Sequence, residues 1–142
     1  SESPHPKAPG TTTGGGPDNW PPASTVHALV EGLAGVSDEA CAFSRVRLTP
    51  RWAAAGADDV AVTVRYGASD GYVSYRFRRS GGEIDLWVTG SGERATVRVP
   101  WPDGEPRATV DGAPAPCRTE VRDDGRHAVV EVDPRVPVRV RF

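Results

Sequence analysis

The sequence contains no methionine, a single lysine (Lys7) and only two cysteines, Cys41 and Cys117. Without methionine the chain cannot begin at the residue that initiated its translation, so a trimmed product or an excerpt is expected. The cysteines sit in no Cys-x-x-Cys or Cys/His spacing of the kind that holds zinc, so no metal and no cofactor is expected. They are either two thiols or one long-range disulfide, and the sequence leaves both open. No apolar run approaches the roughly 20 residues of a membrane-crossing helix, and the N-terminus lacks the basic and apolar blocks of a signal peptide. Net charge is scarce as well. A formal value of −2 with 25% charged residues gives no field that would recruit nucleic acid or an anionic membrane, so neither is expected as a partner. Arginine outnumbers lysine sixteen to one, a coding bias of GC-rich bacterial genes that carries no mechanism.

What is present is alternation. At 142 residues the chain has room for one ordinary core. Residues 1–21 are rich in Pro, Gly, Thr and Ser, too poor in apolar surface to offset their ordering entropy, and read as a flexible lead-in. Residues 22–40 read as a helical segment: Val26, Leu29, Val30 and Leu33 recur at helical spacing, Ser24 or Thr25 is placed to cap the start, and Gly35 to end it, predicting a helix over Ser24 to Val36. Over 41–142 the period becomes two. Val60, Val62, Val64 and Tyr66 alternate with polar or small residues, as do Val73, Tyr75 and Phe77, then Ile84, Leu86 and Val88. The same holds for Ala95 to Val99, Ala128 to Val132 and Val136 to Phe142, with shorter runs at Val46 to Leu48, Ala108 to Val110 and Cys117 to Val121. Turn chemistry separates them, including Gly81-Gly82, Asp111-Gly112 and Asp124-Gly125. Many short strands with one apolar face each bury those faces by pairing two sheets. The expected fold is all-β: an antiparallel β-sandwich of about eight strands with one short N-terminal helix, a barrel being the runner-up.

No catalytic motif is complete. His27 and Glu31 lie four apart on the helix, opposite its apolar residues, and so can act together or simply form a solvated face. A zinc helix of the His-Glu-x-x-His type needs a second histidine that is missing. Asp58, Asp59, Asp70, Asp103, Asp123 and Asp124 fall in turns, where aspartate is favoured for local reasons. There is no Gly-x-Ser-x-Gly, and Gly14-Gly15-Gly16 lacks the Lys-Ser/Thr of a phosphate loop. Among the aromatics Trp20, Trp52, Tyr72, Trp87 and Trp101, core packing is the ordinary fate. Trp87 is out of phase with Ile84, Leu86 and Val88 and therefore points off the buried face; with Tyr72 and Trp101 it is the candidate platform for a sugar ring, or a docking residue for another domain.

The order of these features is itself informative. A helix ending Leu33-Ala34-Gly35-Val36 is followed by Phe43-Ser44-Arg45-Val46-Arg47-Leu48-Thr49-Pro50. Val64-Arg65-Tyr66, the run Gly71 to Arg78 and Ile84-Asp85-Leu86-Trp87-Val88 come next. Over about residues 22 to 142 this resembles the C-terminal end of bacterial α-L-rhamnosidases and, more broadly, of six-hairpin (α/α)6-barrel glycoside hydrolases. The resemblance implies that the helix is the last element of an upstream barrel and that the sandwich closes the protein as structural support. It also implies an upstream (α/α)6-barrel domain as partner. In that family the last barrel helix carries a Gly-Glu-Trp-Leu-Tyr segment whose glutamate is linked to base catalysis. Alignment on Ala34-Gly35-Val36 puts His27 at that place, with Ala28 and Leu29 for Trp-Leu, a departure from the pattern. His27 and Glu31 are thus catalytic candidates only beside a barrel, and no complete catalytic site is expected in this chain. A carbohydrate-binding module and a free-standing interaction domain are the alternatives.

Overall fold

A computed structural model of the chain describes residues 20–142, with side chains from 23 onward. The expected flexible lead-in therefore lies outside the described residues up to position 19, as do Gly14 to Gly16. Helix α1 spans Trp20–His27 and runs on into a wider π-type turn, Ala28–Leu33, closed by the Ala34 N–H donating to the Leu29 carbonyl at 2.8 Å. The helix starts four residues before the expected cap. Pro21 and Pro22 fall in its first turn, where a missing N–H is no loss, and this places Ser24 and Thr25 inside the helix. It also ends earlier than periodicity suggested. Gly35 takes a left-handed φ of 66°, and Val36–Asp38 leaves the helix to become strand β1.

Among the described residues eleven strands form two sheets. The five-stranded sheet comprises β1, β2 (Arg45–Leu48), β6 (Arg94–Pro100), β10 (Gly125–Val132) and β9 (Arg118–Arg122) in that order. The six-stranded sheet comprises β3 (Asp59–Arg65), β4 (Tyr72–Ser80), β5 (Glu83–Gly90), β11 (Val138–Arg141), β7 (Ala108–Val110) and β8 (Ala113–Ala115). The fold is thus an all-β sandwich with one short helix, as the alternation predicts. Two strands were not legible. β1 has three residues and lies inside the expected helical segment 22–40, at the end of the expected helix, while β8 holds Pro114, which removes a ladder donor and is tolerated because β8 is an edge strand. One pairing departs from the antiparallel rule: β2 runs parallel to β6, Val46 opposite Ala95 and Leu48 opposite Val97. The β7–β8 connection, Asp111-Gly112, has φ of 49° and 84°, the two left-handed residues of a type I′ hairpin.

Alternate residues of each strand meet between the sheets. Val46, Leu48, Val97, Val99 and Val130 come from one side, and Tyr75, Phe77, Leu86, Val88 and Val140 from the other; all are essentially buried. The opposite residues of the same strands include many arginines and acids, among them Arg47, Arg98, Glu131, Arg76, Asp85 and Arg139. This leaves both outer faces charged, and it is on these faces and at the ends of the sandwich that candidate sites lie.

Candidate functional site

Strand alternation sends Trp87 to the outer face of the six-stranded sheet, as its phase predicts. There its ring is not bare. The guanidinium of Arg139 on β11 sits 4.7 Å from the ring centroid and that of Arg78 on β4 sits 5.6 Å away, so cations approach from both flanking strands. Both arginines are held. Arg139 and Arg141 grip Asp85, while Arg76 and Arg78 grip Asp59. The Arg76 hydrogen bond, with Arg78, keeps the Asp59 carboxyl at about 2, far below its ordinary 3.8. Burial works to raise Asp85, and its two arginines outweigh that and lower it.

Tyr72 lies on the same outer face at the start of β4, over a small hollow with Thr63, Arg65 and Asp70. Trp101 belongs elsewhere. It follows β6 and lines a largely apolar cleft of 780 Å³ with Pro106, Pro114, Cys117 and Phe142. Its indole Nε1 is buried there without a partner. The three candidate platform residues are thus not brought together. Cys117 is half-buried and Cys41 exposed, and both are free thiols; burial pushes the Cys117 thiol up.

His27 and Glu31 do meet, His27 Nδ1 to Glu31 Oε1 being 3.4 Å, on a part of the helix open to solvent. They edge a groove of 590 Å³ whose walls are Val26, Val30, Val36, Phe43, Val64 and Tyr66. A neighbouring loop shapes it. Asp38 Oδ1 accepts the Ala40 and Phe43 N–H groups and its Oδ2 accepts the Tyr66 hydroxyl at 3.0 Å, so Phe43 is held in left-handed backbone and stacks on Tyr66 at 4.8 Å. The Asp38 bond raises the Tyr66 hydroxyl above its usual range. Along the helix Val26 remains 59% exposed and Leu29 51%. These two are therefore not absorbed by the sandwich core, whereas Val30 packs against it.

A second groove, of 470 Å³, was not anticipated. It opens on the outer face of the five-stranded sheet, between Glu31 at the helix end and the β9–β10 turn with Asp123 and Asp124. Arg98 lies beneath it, nearly buried, with Nη2 3.1 Å from Asp124 Oδ2 and Nη1 3.6 Å from Glu120 Oε1. Arg51 ties the groove together: its Nη1 donates to the Glu31 and Gly32 carbonyls and its Nη2 to Asp124. The only sequence signal for this site was that Arg47, Thr49 and Arg98 lie out of phase with their apolar neighbours.

Among the described residues no three His, Cys, Asp or Glu side chains gather as a metal would need. No described helix is long and apolar enough to cross a membrane. No family model matches the chain, and no curated protein matches it.

Proposed function

We propose that this sandwich is a non-catalytic domain of a carbohydrate-active enzyme, an α-L-rhamnosidase-like glycoside hydrolase, and that it supports an upstream (α/α)6 barrel. The observation that carries the reading is the exposure of Val26 and Leu29 on a helix whose apolar residues continue into the groove at Phe43, Val64 and Tyr66. Half-exposed Val26 at the rim of that apolar groove, with Leu29 one turn on, supports a covered surface there. The resemblance in the order of helix, Phe43 and following strands names the cover as barrel helices. His27 and Glu31, adjacent on that helix, then face the barrel and are available to its pocket. A sugar platform at Trp87 gains less support, because guanidinium groups already take up its ring.

The test is the full-length gene product. Val26→Asp with Leu29→Asp should separate one cooperative unfolding transition into two there, while changing residues 1–142 alone by no more than about 0.5 kcal/mol, the usual limit for exposed positions. An upstream reading frame that encodes no helical barrel, or a full-length protein indifferent to the double substitution, overturns the proposal.

A further inference from the structure

An edge strand leaves one row of backbone N–H and C=O groups unpaired, and folded proteins ordinarily guard it. Among the described residues the two sheets end in four such edges, β1 and β9 on one sheet and β3 and β8 on the other. Three are guarded. β1 and β8 are three residues long and β8 carries Pro114, while β9 places charge at Arg118, Glu120 and Arg122. β3 is different. It runs for seven residues, Asp59–Arg65, in unbroken register with β4, holds no proline or glycine, and carries charge only at its two ends.

The ladder to β4 fixes which groups face outward. The Arg79 N–H donates to the Asp58 carbonyl and the Tyr66 N–H to the Gly71 carbonyl, so in this register Val60, Val62 and Val64 exchange bonds with β4. Asp59, Ala61, Thr63 and Arg65 therefore turn their N–H and C=O groups to the open side. Side chains follow the same alternation: the three valines face the core side and stay half-buried, and the other four residues are exposed. On the neighbouring strand Val73, Tyr75 and Phe77 are fully buried. What the β3 valines lack by comparison is a strand on their other side.

The side chains select that strand. A second β3 laid antiparallel, with Val62 opposite Val62 on a two-fold axis, sets Asp59 of each copy opposite Arg65 of the other and Ala61 opposite Thr63. On the core side it sets Val60 opposite Val64. The outward backbone groups then meet only one another, giving about eight hydrogen bonds. Arg65 makes no ion pair within its own chain among the described residues. Asp59 accepts three hydrogen bonds, two from Arg76 and one from Arg78, and a carboxylate offers about four acceptor positions, so one is left for the incoming guanidinium. A slip of two residues in either direction loses both charge pairs. The strand is thus self-complementary in one register.

We propose that two copies of this chain pair through β3 in that register, joining their six-stranded sheets into one continuous sheet. The two-fold axis stands perpendicular to the sheet, so both core faces stay on the same side and neither sandwich has to open. The pairing uses this domain alone and stands apart from the supporting role given above.

The experiment is sedimentation velocity of the 142-residue chain from about 10 μM to about 1 mM, a range that brackets the affinity of a small interface, with amide exchange read by NMR at both ends. A reversible dimer should form. The amides of Ala61, Thr63 and Arg65 should slow as it does, while those of Val60, Val62 and Val64 are protected throughout. In a sample mixing labelled and unlabelled chains, the α protons of Val60 and Val64 should show an intermolecular contact. Ala61→Pro removes an outward N–H that β4 does not use, so it should abolish the dimer while the amide spectrum keeps the β3–β4 ladder. Arg65→Glu turns two ion pairs into two like-charge contacts and should weaken the dimer about tenfold, whereas Arg65→Lys should not. The proposal fails if the chain is still monomeric at about 1 mM, if the dimer survives Ala61→Pro, or if Val60 of one copy contacts Val60 of the other. A monomer in which the outward amides are already slow at the lowest concentration would mean that another segment of the same chain covers β3, and this too overturns it. Because the chain is tested alone, a failure of barrel docking leaves these outcomes untouched.

Discussion

The hydroxyl of Tyr75, in the middle of β4, donates to the carbonyl of Ala34 at 2.6 Å and so ties the six-stranded sheet to the end of the helix. The same oxygen accepts the indole N–H of Trp52 at 2.8 Å. Burial raises the Tyr75 hydroxyl far above its usual range, the Trp52 bond only partly opposing this, so it is a donor at neutral pH. Tyr75→Phe keeps the ring and leaves the Ala34 carbonyl and the Trp52 N–H without this partner. The expected loss is about 1–3 kcal/mol, the cost of stranding buried polar groups. Urea denaturation of parent and variant measures it; a change under about 0.5 kcal/mol would show that water replaces the hydroxyl.

Glycine at 35 and at 56 makes a matched comparison. Both have left-handed φ, 66° and 73°, yet a Cβ at Gly56 meets nothing within 4 Å whereas at Gly35 it lies 1.8 Å from the Thr49 carbonyl oxygen. Gly56→Ala should therefore cost only the conformational penalty of about 1–2 kcal/mol. Gly35→Ala should cost clearly more, because it adds a backbone collision at the helix-to-β1 junction and disturbs the groove above Thr49. Thermal unfolding of the two variants side by side tests the ranking.

These two positions also show what a sequence reveals and what it hides. The strands with long alternation, such as Val60 to Val64 and Val73 to Phe77, were legible because a half-buried sheet imposes a period of two on side chains. Gly35 was legible as a helix end. That Val36 then enters a sheet was not, because three residues carry too little periodicity and the pairing partner, Leu48, is fixed only by tertiary contact. Trp87 was correctly placed on an outer face by its phase, but its guanidinium neighbours come from β4 and β11, strands whose order no local pattern encodes. The groove at Arg98 was invisible for the same reason: its walls come from residues 31 to 124, joined by a parallel β2–β6 pairing that antiparallel hairpin logic does not suggest.

The Trp87 stack carries a spectroscopic prediction. With Arg139 4.7 Å from the ring centroid, the Arg139 side-chain protons lie in the shielding region of the indole and should resonate upfield. Trp87→Leu should return them to ordinary positions and destabilise the domain by about 0.5–1 kcal/mol for the lost cation–π contact at a partly exposed site, apart from any packing loss. Arg139 shifts that are already ordinary in the parent protein would mean the guanidinium does not rest on the ring.

Acid stability follows from the carboxylates gripped by arginine. Asp59 is held at about 2 against an ordinary 3.8, first by its hydrogen bond to Arg76 and then by Arg78; Asp133 is likewise at about 2 through Arg135. A carboxyl whose folded value is depressed releases its proton more readily in the folded chain than in the unfolded one. It contributes stability that is complete above the unfolded value and is lost as pH falls toward the folded one. The window is therefore about pH 4 to pH 2, and stability at neutral pH should be flat with respect to these groups. Asp59 bridges edge strand β3 to β4, so its protonation should act locally first. Amide exchange across Asp59–Arg65 should accelerate in that window before β5 and β11 open, and Asp59→Asn should make β3 exchange faster at pH 6 and less sensitive to acid. Equal acid sensitivity in the parent and the variant would assign the acid transition to other carboxylates.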